Sequence, residues 1–208
     1  MSSPVEPVFA EFFFDIGSPY SYLAASQMDE LGARTGARIW WRPFLLGGVF
    51  KATGNVPPAT LPARAPVMLT DLMRWAAHYG IPLAFPSYFP GNMLQTQRAL
   101  IAAERASGEA SMRRFAARLF TAYWAEGVDV SRPGVLEDLA DEVELDGAAL
   151  VAATADPSIK QALLDATQSA VERGAFGAPT FFVGQELFFG NDRLMFVEAA
   201  LRPRSVRT

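Results

Sequence analysis

Apolar and polar positions divide the chain into three textures. From Val8 to Phe14 the run VFAEFFF is short, aromatic-rich and closed by the turn-forming DIGSP, a pattern that predicts a buried strand rather than a helix. A helix follows. In SPYSYLAASQMDELGARTG, Ser18 can cap the first turn, Pro19 fits the first helical position, and Gly32 and Gly36 lie near the end. The β-branched and aromatic run RIWWRPFLL over 38–46 then predicts a second strand. Together these make a βαβ unit, for which parallel strands and a right-handed crossover are expected.

Between about Leu61 and Gly174 the period becomes helical, with segments predicted at 66–79, 92–107, 109–126, 133–144, 146–155 and 157–173. The stretch IPLAFPSYFPGN over 81–92 carries three prolines and is expected to be mostly irregular. Its Phe85, Tyr88 and Phe89 suit either a pocket wall or a loop packed on the core. Sheet signals return in PTFFV (179–183), a Gly184-Gln185 turn and ELFF (186–189), which predict an antiparallel hairpin. Gly190 and a helix from Asn191 or Asp192 to Leu201 complete the pattern. One sheet built from both ends of the chain, with the helices inserted between, accounts for this order with a single core.

Composition narrows the function classes. Half of the 208 residues are apolar and 19% are charged, which is enough hydrophobic material for a core and unlike a disordered chain. The net charge of −4 offers no basic field to a phosphate backbone, and Arg202, Arg204 and Arg207 form a short tail rather than a patch. Nucleic acid is therefore not expected as a partner. No apolar run approaches the roughly 20 residues that span a bilayer, and MSSPVEPV lacks the basic-then-apolar layout of a signal peptide. A cytoplasmic protein with no membrane partner is expected. The absence of cysteine excludes disulfides and thiolate catalysis by the chain itself, and with His78 as the single histidine no metal site is expected. The acids of EDLADEVELD (137–146) read as a solvated helix face.

Two places are suited to chemistry. A helix N-terminus offers unpaired N–H groups and about half a positive charge, so the junction at Ser18 suits an anion, although serine there is also an ordinary cap. In GAFGAPTFFVG (174–184), Pro179 opens a strand. A cis Ala178–Pro179 bond would turn the preceding N–H and C=O outward to pair with a peptide-like ligand, while a proline at the first strand residue is compatible with any sheet.

The strings FFFDIGSPYSYLA, RPFLLGGVFKATGN and GAFGAPTFFVGQELFFGNDRL together resemble the 2-hydroxychromene-2-carboxylate isomerases and the similar kappa-class glutathione transferases, within the disulfide-oxidoreductase branch of thioredoxin-like proteins. The resemblance covers nearly the whole chain. It implies an α/β, thioredoxin-like fold (βαβ…ββα) with a large all-helical insertion: a discontinuous thioredoxin-like domain from 1–50 and 171–208 around an insertion domain at 51–170. In redox relatives a CxxC motif opens the first helix. Here the four residues are Ser18, Pro19, Tyr20 and Ser21, and a chain without cysteine cannot exchange disulfides.

The thiol must then arrive with a ligand, which the resemblance implies is glutathione. Ser18, the implied catalytic residue, would donate a hydrogen bond to the cysteinyl sulfur, and that bond and the helix end both favour thiolate. The resemblance further implies that Ala178, beside Pro179, pairs with the cysteinyl backbone and that Phe189, Gly190, Asn191 and Asp192 hold the γ-glutamyl end. Taken alone, Asn191 or Asp192 could simply cap the last helix. Asn55, with Lys51, falls in the KATGN loop that lines the site in the family; Lys51 and Arg64 would hold a pyruvate carboxylate, and Tyr88, or Phe89 in its place, would meet the aromatic ring.

In the implied isomerase reaction the thiolate adds to the double bond of a trans-o-hydroxybenzylidenepyruvate-type acid, permits rotation and is eliminated; a transferase would instead release a stable conjugate. FLLGGVFKATGNVPPATLPAR reads more like the transferases and FFGNDRL more like the bacterial isomerases. A redox-inactive thioredoxin scaffold that binds a peptide beside Pro179 is a reading of another class. A serine hydrolase would need His78 as its base and lacks the G-x-S-x-G elbow. The family is often dimeric, which implies a homodimer.

Overall fold

The structure, a computed structural model, describes residues 9–202; the expected strand start at Val8, the MSSPVEPV leader and the tail residues Arg204 and Arg207 lie outside the described residues. Strands β1 (Phe9–Phe14) and β2 (Arg38–Pro43) run parallel, and β3 (Thr180–Val183) and β4 (Glu186–Phe189) form the expected antiparallel hairpin. β3 also pairs antiparallel with β1, so the sheet order is β2-β1-β3-β4. This is the thioredoxin-like arrangement, with the helices inserted between β2 and β3. β1 lies inside the sheet and is covered on both faces, which explains a run that is apolar almost throughout. Its Phe12 and Phe14 join Trp41, Phe181 and the helices in a large core, whereas Phe13 joins Phe44 and Phe182 in a smaller one. The polar exception, Glu11, is neutralised by Arg173 at 2.6 Å and Arg42 at 3.8 Å.

The single helix expected after β1 is two: α1 (Pro19–Ala25) and α2 (Met28–Thr35). Between them the Ser26 hydroxyl donates to the Leu23 carbonyl at 2.7 Å and the Gln27 N–H to Ala24 at 2.9 Å, a tightened turn that re-aims the chain so that Met28 and Leu31 are buried. Gly36 ends α2 in the left-handed region at φ 67°, where a glycine carries no Cβ penalty.

β2 stops at Pro43 instead of running to 46, and α3 (Leu46–Thr53) replaces most of the loop expected around Lys51. Tertiary bonds override the strand signal: Leu45 N–H donates to the Thr167 hydroxyl at 3.0 Å and Leu46 N–H to the Asp15 carboxylate at 2.8 Å, turning the chain off the sheet.

The remaining helices are α4 (Ala65–Tyr79), α5 (Leu94–Trp124), α6 (Pro133–Asp141), α7 (Gly147–Ala153), α8 (Pro157–Glu172) and α9 (Leu194–Leu201). The two helices expected at 92–107 and 109–126 are the two arms of α5, which leaves helical geometry at Gly108 (φ 81°, ψ 169°). The segment over 81–92 is irregular, as expected. α6 ends before residue 144 because the chain turns back on itself: a Cβ at Gly147 would overlap the Glu137 carbonyl, so only glycine permits this approach of α7 to α6. The last helix begins at Leu194 rather than at Asn191 or Asp192, which form a short 3-10 turn. No helix among the described residues is long and apolar enough to cross a membrane.

α5 is the element that positions the site. Gln97 donates through one amide nitrogen to the carbonyls of Phe14 (2.9 Å) and Phe44 (2.7 Å), and the Trp124 indole donates to Ile16 at 2.8 Å. The ends of β1 and β2 are thereby fixed where their chains leave the sheet.

Candidate functional site

A cavity of about 580 Å³ opens at that end of the sheet, beside Ser18. Ser18 has extended backbone (φ −95°, ψ 115°) and caps α1; its hydroxyl oxygen accepts the Ser21 N–H at 3.1 Å and its hydrogen goes to the Ala178 carbonyl at 3.2 Å. The second bond is long for a hydroxyl donor, so a charged acceptor placed beside it would be the stronger partner. No base reaches this serine. His78 is exposed at the end of α4, with its ring against Trp75 and Tyr79 and outside the cavity wall. The hydrolase arrangement is absent among the described residues.

Asp15, three residues before Ser18, is 3% exposed and also lines the cavity. One carboxylate oxygen accepts the Gly17 N–H and the other the Leu46 N–H, each at 2.8 Å. Burial pushes its pKa up to about 6, and the two backbone N–H bonds act in the opposite sense without cancelling it.

Part of the cavity wall is polar. Asn191 is 2% exposed, and its side-chain NH2 finds no acceptor among the described residues, an uncommon condition for a buried donor. Asp192 and Asp71 stand in the same wall, with Asp192 also ion-paired to Arg193. Tyr20 donates to Asp71 at 3.0 Å, and burial, that bond and the charges of Asp71 and Asp192 hold its phenol protonated above its ordinary range. An unpartnered amide donor with two carboxylates suits an α-amino acid group, which carries an acceptor beside an ammonium. Much of the remaining wall is apolar, with Leu46, Phe50, Met68, Phe89 and Met93, and suits an aromatic ring.

Seven of the residues anticipated from sequence line this one cavity: Ser18, Asn55, Ala178, Phe189, Gly190, Asn191 and Asp192. Pro179 stands behind the wall, where its carbonyl accepts the Gly190 N–H at 3.0 Å. The Ala178–Pro179 peptide is cis, as is Phe89–Pro90. The Asn55 amide donates to the Phe176 carbonyl at 3.0 Å and so ties the segment after α3 to the one before Pro179. Lys51, Arg64 and Tyr88 do not line the cavity. Lys51 is exposed in the last turn of α3 and Arg64 at the start of α4, while the Tyr88 hydroxyl donates to Gly127 at 2.7 Å and leaves the wall to Phe89.

Sequence reasoning missed Asp15, Tyr20 and Asp71. Asp15 left one signal, a lone acid between an aromatic strand and a glycine. Asp71 left none, because its partner Tyr20 is 51 positions away.

Comparison with known proteins follows the same lines. The DSBA-like thioredoxin domain family matches residues 10–202. A 2-hydroxychromene-2-carboxylate isomerase of Sphingobium xenophagum is 36% identical over 193 residues, which span 92% of this chain and 96% of that protein. Glutathione S-transferase kappa 1 of Caenorhabditis elegans is 30% identical over 207 residues, spanning 92% and 90%. A solved 2-hydroxychromene-2-carboxylate isomerase structure superposes with a TM-score of 0.84 at 29% identity, over 93% of this chain and 94% of that one.

Proposed function

Because the chain belongs to the DSBA-like thioredoxin family, in the branch that holds the 2-hydroxychromene-2-carboxylate isomerases and the kappa-class glutathione transferases, we propose that it is a glutathione-dependent isomerase of trans-o-hydroxybenzylidenepyruvate-type aromatic acids. The observation that carries the reading is the Ser18 hydroxyl, capping α1 in the cavity wall with its hydrogen on a weak acceptor. Glutathione, when bound, supplies a thiolate that adds reversibly to the conjugated double bond of the substrate.

The residues present fit that tripeptide. The unpartnered Asn191 NH2 suits the γ-glutamyl carboxylate, and Asp192 with Asp71 suits its ammonium. The Ala178 N–H has no acceptor among the described residues and can pair with the cysteinyl backbone. Ser18 turns its hydrogen from the Ala178 carbonyl toward the sulfur and stabilises the anionic form. The unpaired N–H groups at the start of α1 act on the anion in the same sense as this hydroxyl. Phe89 and Met93 offer an apolar surface to the aromatic ring, whereas Lys51 and Arg64 are exposed outside the cavity wall and are given no contact with the substrate. The same reading places the protein in the cytoplasm, where thiols are kept reduced, as a homodimer.

The test is calorimetric titration with reduced glutathione, followed by product analysis on a benzylidenepyruvate. Free thiol recovered intact beside isomerised acid is the expected result. Loss of thiol into a stable adduct would assign a transferase instead, and no binding at millimolar glutathione would leave a peptide-binding scaffold.

A further inference from the structure

Asp15 takes no part in the proposed chemistry, yet it is a buried carboxylate in the wall of the catalytic cavity. Its two oxygens serve different elements. One holds Gly17, adjacent to Ser18 in the β1–α1 loop; the other holds Leu46, the first residue of α3, which begins without a side-chain cap of its own. The Asp15 carbonyl also accepts the Ser18 N–H at 2.9 Å. We propose that Asp15 is a positioning residue, a two-sided clamp that sets the Ser18 loop at a fixed distance from α3 and hence from the Asn55 segment that follows it.

The clamp requires both oxygens as acceptors. A protonated carboxyl keeps one carbonyl oxygen and turns the other into a hydroxyl, which is a much poorer acceptor and brings a hydrogen that competes with the N–H for the same space. One of the two elements is then released. With burial holding the pKa of Asp15 near 6, the clamp is closed above that pH and open below it. Ionisable side chains on the surrounding elements include Tyr123 of α5, whose own pKa registers the charge of Asp15, Tyr20 of α1, Asp71 of α4 and Asp192 after β4 in the wall of the same cavity, and Lys51 at the far end of α3. None of them donates to the Asp15 carboxylate, so its protonation state rests on burial and on the two N–H groups.

The catalytic consequence rests on the glutathione reading; the clamp itself does not, and the experiment separates them. In the ligand-free protein, the backbone amide resonances of Gly17 and Leu46 are followed by NMR from acid to neutral pH. Both should titrate together with a midpoint near 6 and stay flat in Asp15→Asn, whose amide mimics the protonated acid. In the second arm, turnover and the ultraviolet absorbance of bound glutathione thiolate are measured against pH. Asp15→Asn should lower turnover on the order of tenfold, raise the pKa of the bound thiol and abolish an acid limb near 6, while changing glutathione affinity only slightly. Independent titration of the two amides in the parent, or parental turnover and thiol pKa in Asp15→Asn, would overturn the proposal. Amides that titrate together in a protein that does not bind glutathione would leave the clamp standing and remove the functional reading instead.

Discussion

Replacing Ser18 by Ala separates its two duties. The hydroxyl caps α1 through the Ser21 N–H, a role whose loss costs about 1 kcal/mol. A hydrogen bond to a charged group contributes roughly 1.5–3 kcal/mol, so losing the bond to a thiolate should raise the pKa of bound glutathione by about one to two and slow neutral-pH turnover about ten- to a hundredfold. A thermal melt close to the parent with a displaced pH–rate profile is the expected pair of results. A profile identical to the parent would count against the assignment. Asp15 makes a second prediction, on stability. Its folded pKa, about 6, lies above the ordinary 3.8, so between those values the native state binds more protons than the unfolded chain. The stabilisation is therefore complete below 3.8 and lost as pH rises through 6, by about 3 kcal/mol. Urea unfolding of parent and Asp15→Asn at pH 4 and pH 8 should show this as a difference between the two pH dependences. At this scale the sequence made Ser18 legible, because a cap, a proline and a strand junction coincide there. It hid Asp15 and Asp71, whose significance comes from burial and from partners distant along the chain.

Among the elements, legibility followed the origin of each signal. Strands β1, β3 and β4 and helices α4 and α8 were readable because apolar period, Pro or Gly punctuation and local propensity agree within each segment. α3 was not. Its sequence LGGVFKAT has two glycines in its first turn and continues an aromatic run, so local preference opposes a helix there. The element exists because Thr167 of α8 and Asp15 take the N–H groups of Leu45 and Leu46, two contacts that no window of neighbouring residues contains. The break between α1 and α2 has the same character, since a run of good helix formers gave no reason to stop at Ser26. The first of these junctions, at Leu45 and Leu46, lines the cavity, where local rules yield to the geometry of a site. Lys51, expected in a loop lining the site, lies instead in the last turn of α3 and is exposed.

For the molecule as a whole, the question is whether the inserted helices fold as a unit of their own. The sequence suggested boundaries at 50/51 and 170/171, and these fall inside α3 and near the end of α8. The packing gives the helices no separate core: Leu100, Phe115, Phe120 and Trp124 of α5 share one cluster with Phe12 and Phe14 of β1 and Trp41 of β2. The Phe14 ring lies 5.7 Å from that of Phe120, tilted to it, and 5.3 Å edge-on from that of Trp41, so the sheet loses its main apolar partner if α5 leaves. Gln97 and Trp124 add hydrogen bonds from α5 to the carbonyls of Phe14, Phe44 and Ile16, all of which are lost if α5 leaves. Such coupling predicts one cooperative transition. Tryptophan fluorescence, which reports on Trp40 and Trp41 of β2, Trp75 of α4 and Trp124 of α5, and far-UV circular dichroism, dominated by the helices, should give coincident urea curves with a single midpoint. Loss of helical signal ahead of the fluorescence change would show that the insertion melts alone and that its contacts with the sheet contribute less than their burial suggests. Coincidence would mean that the cavity, bounded by α3 and α4 on one side and by the sheet's loops on the other, is held open by the same core that holds the fold.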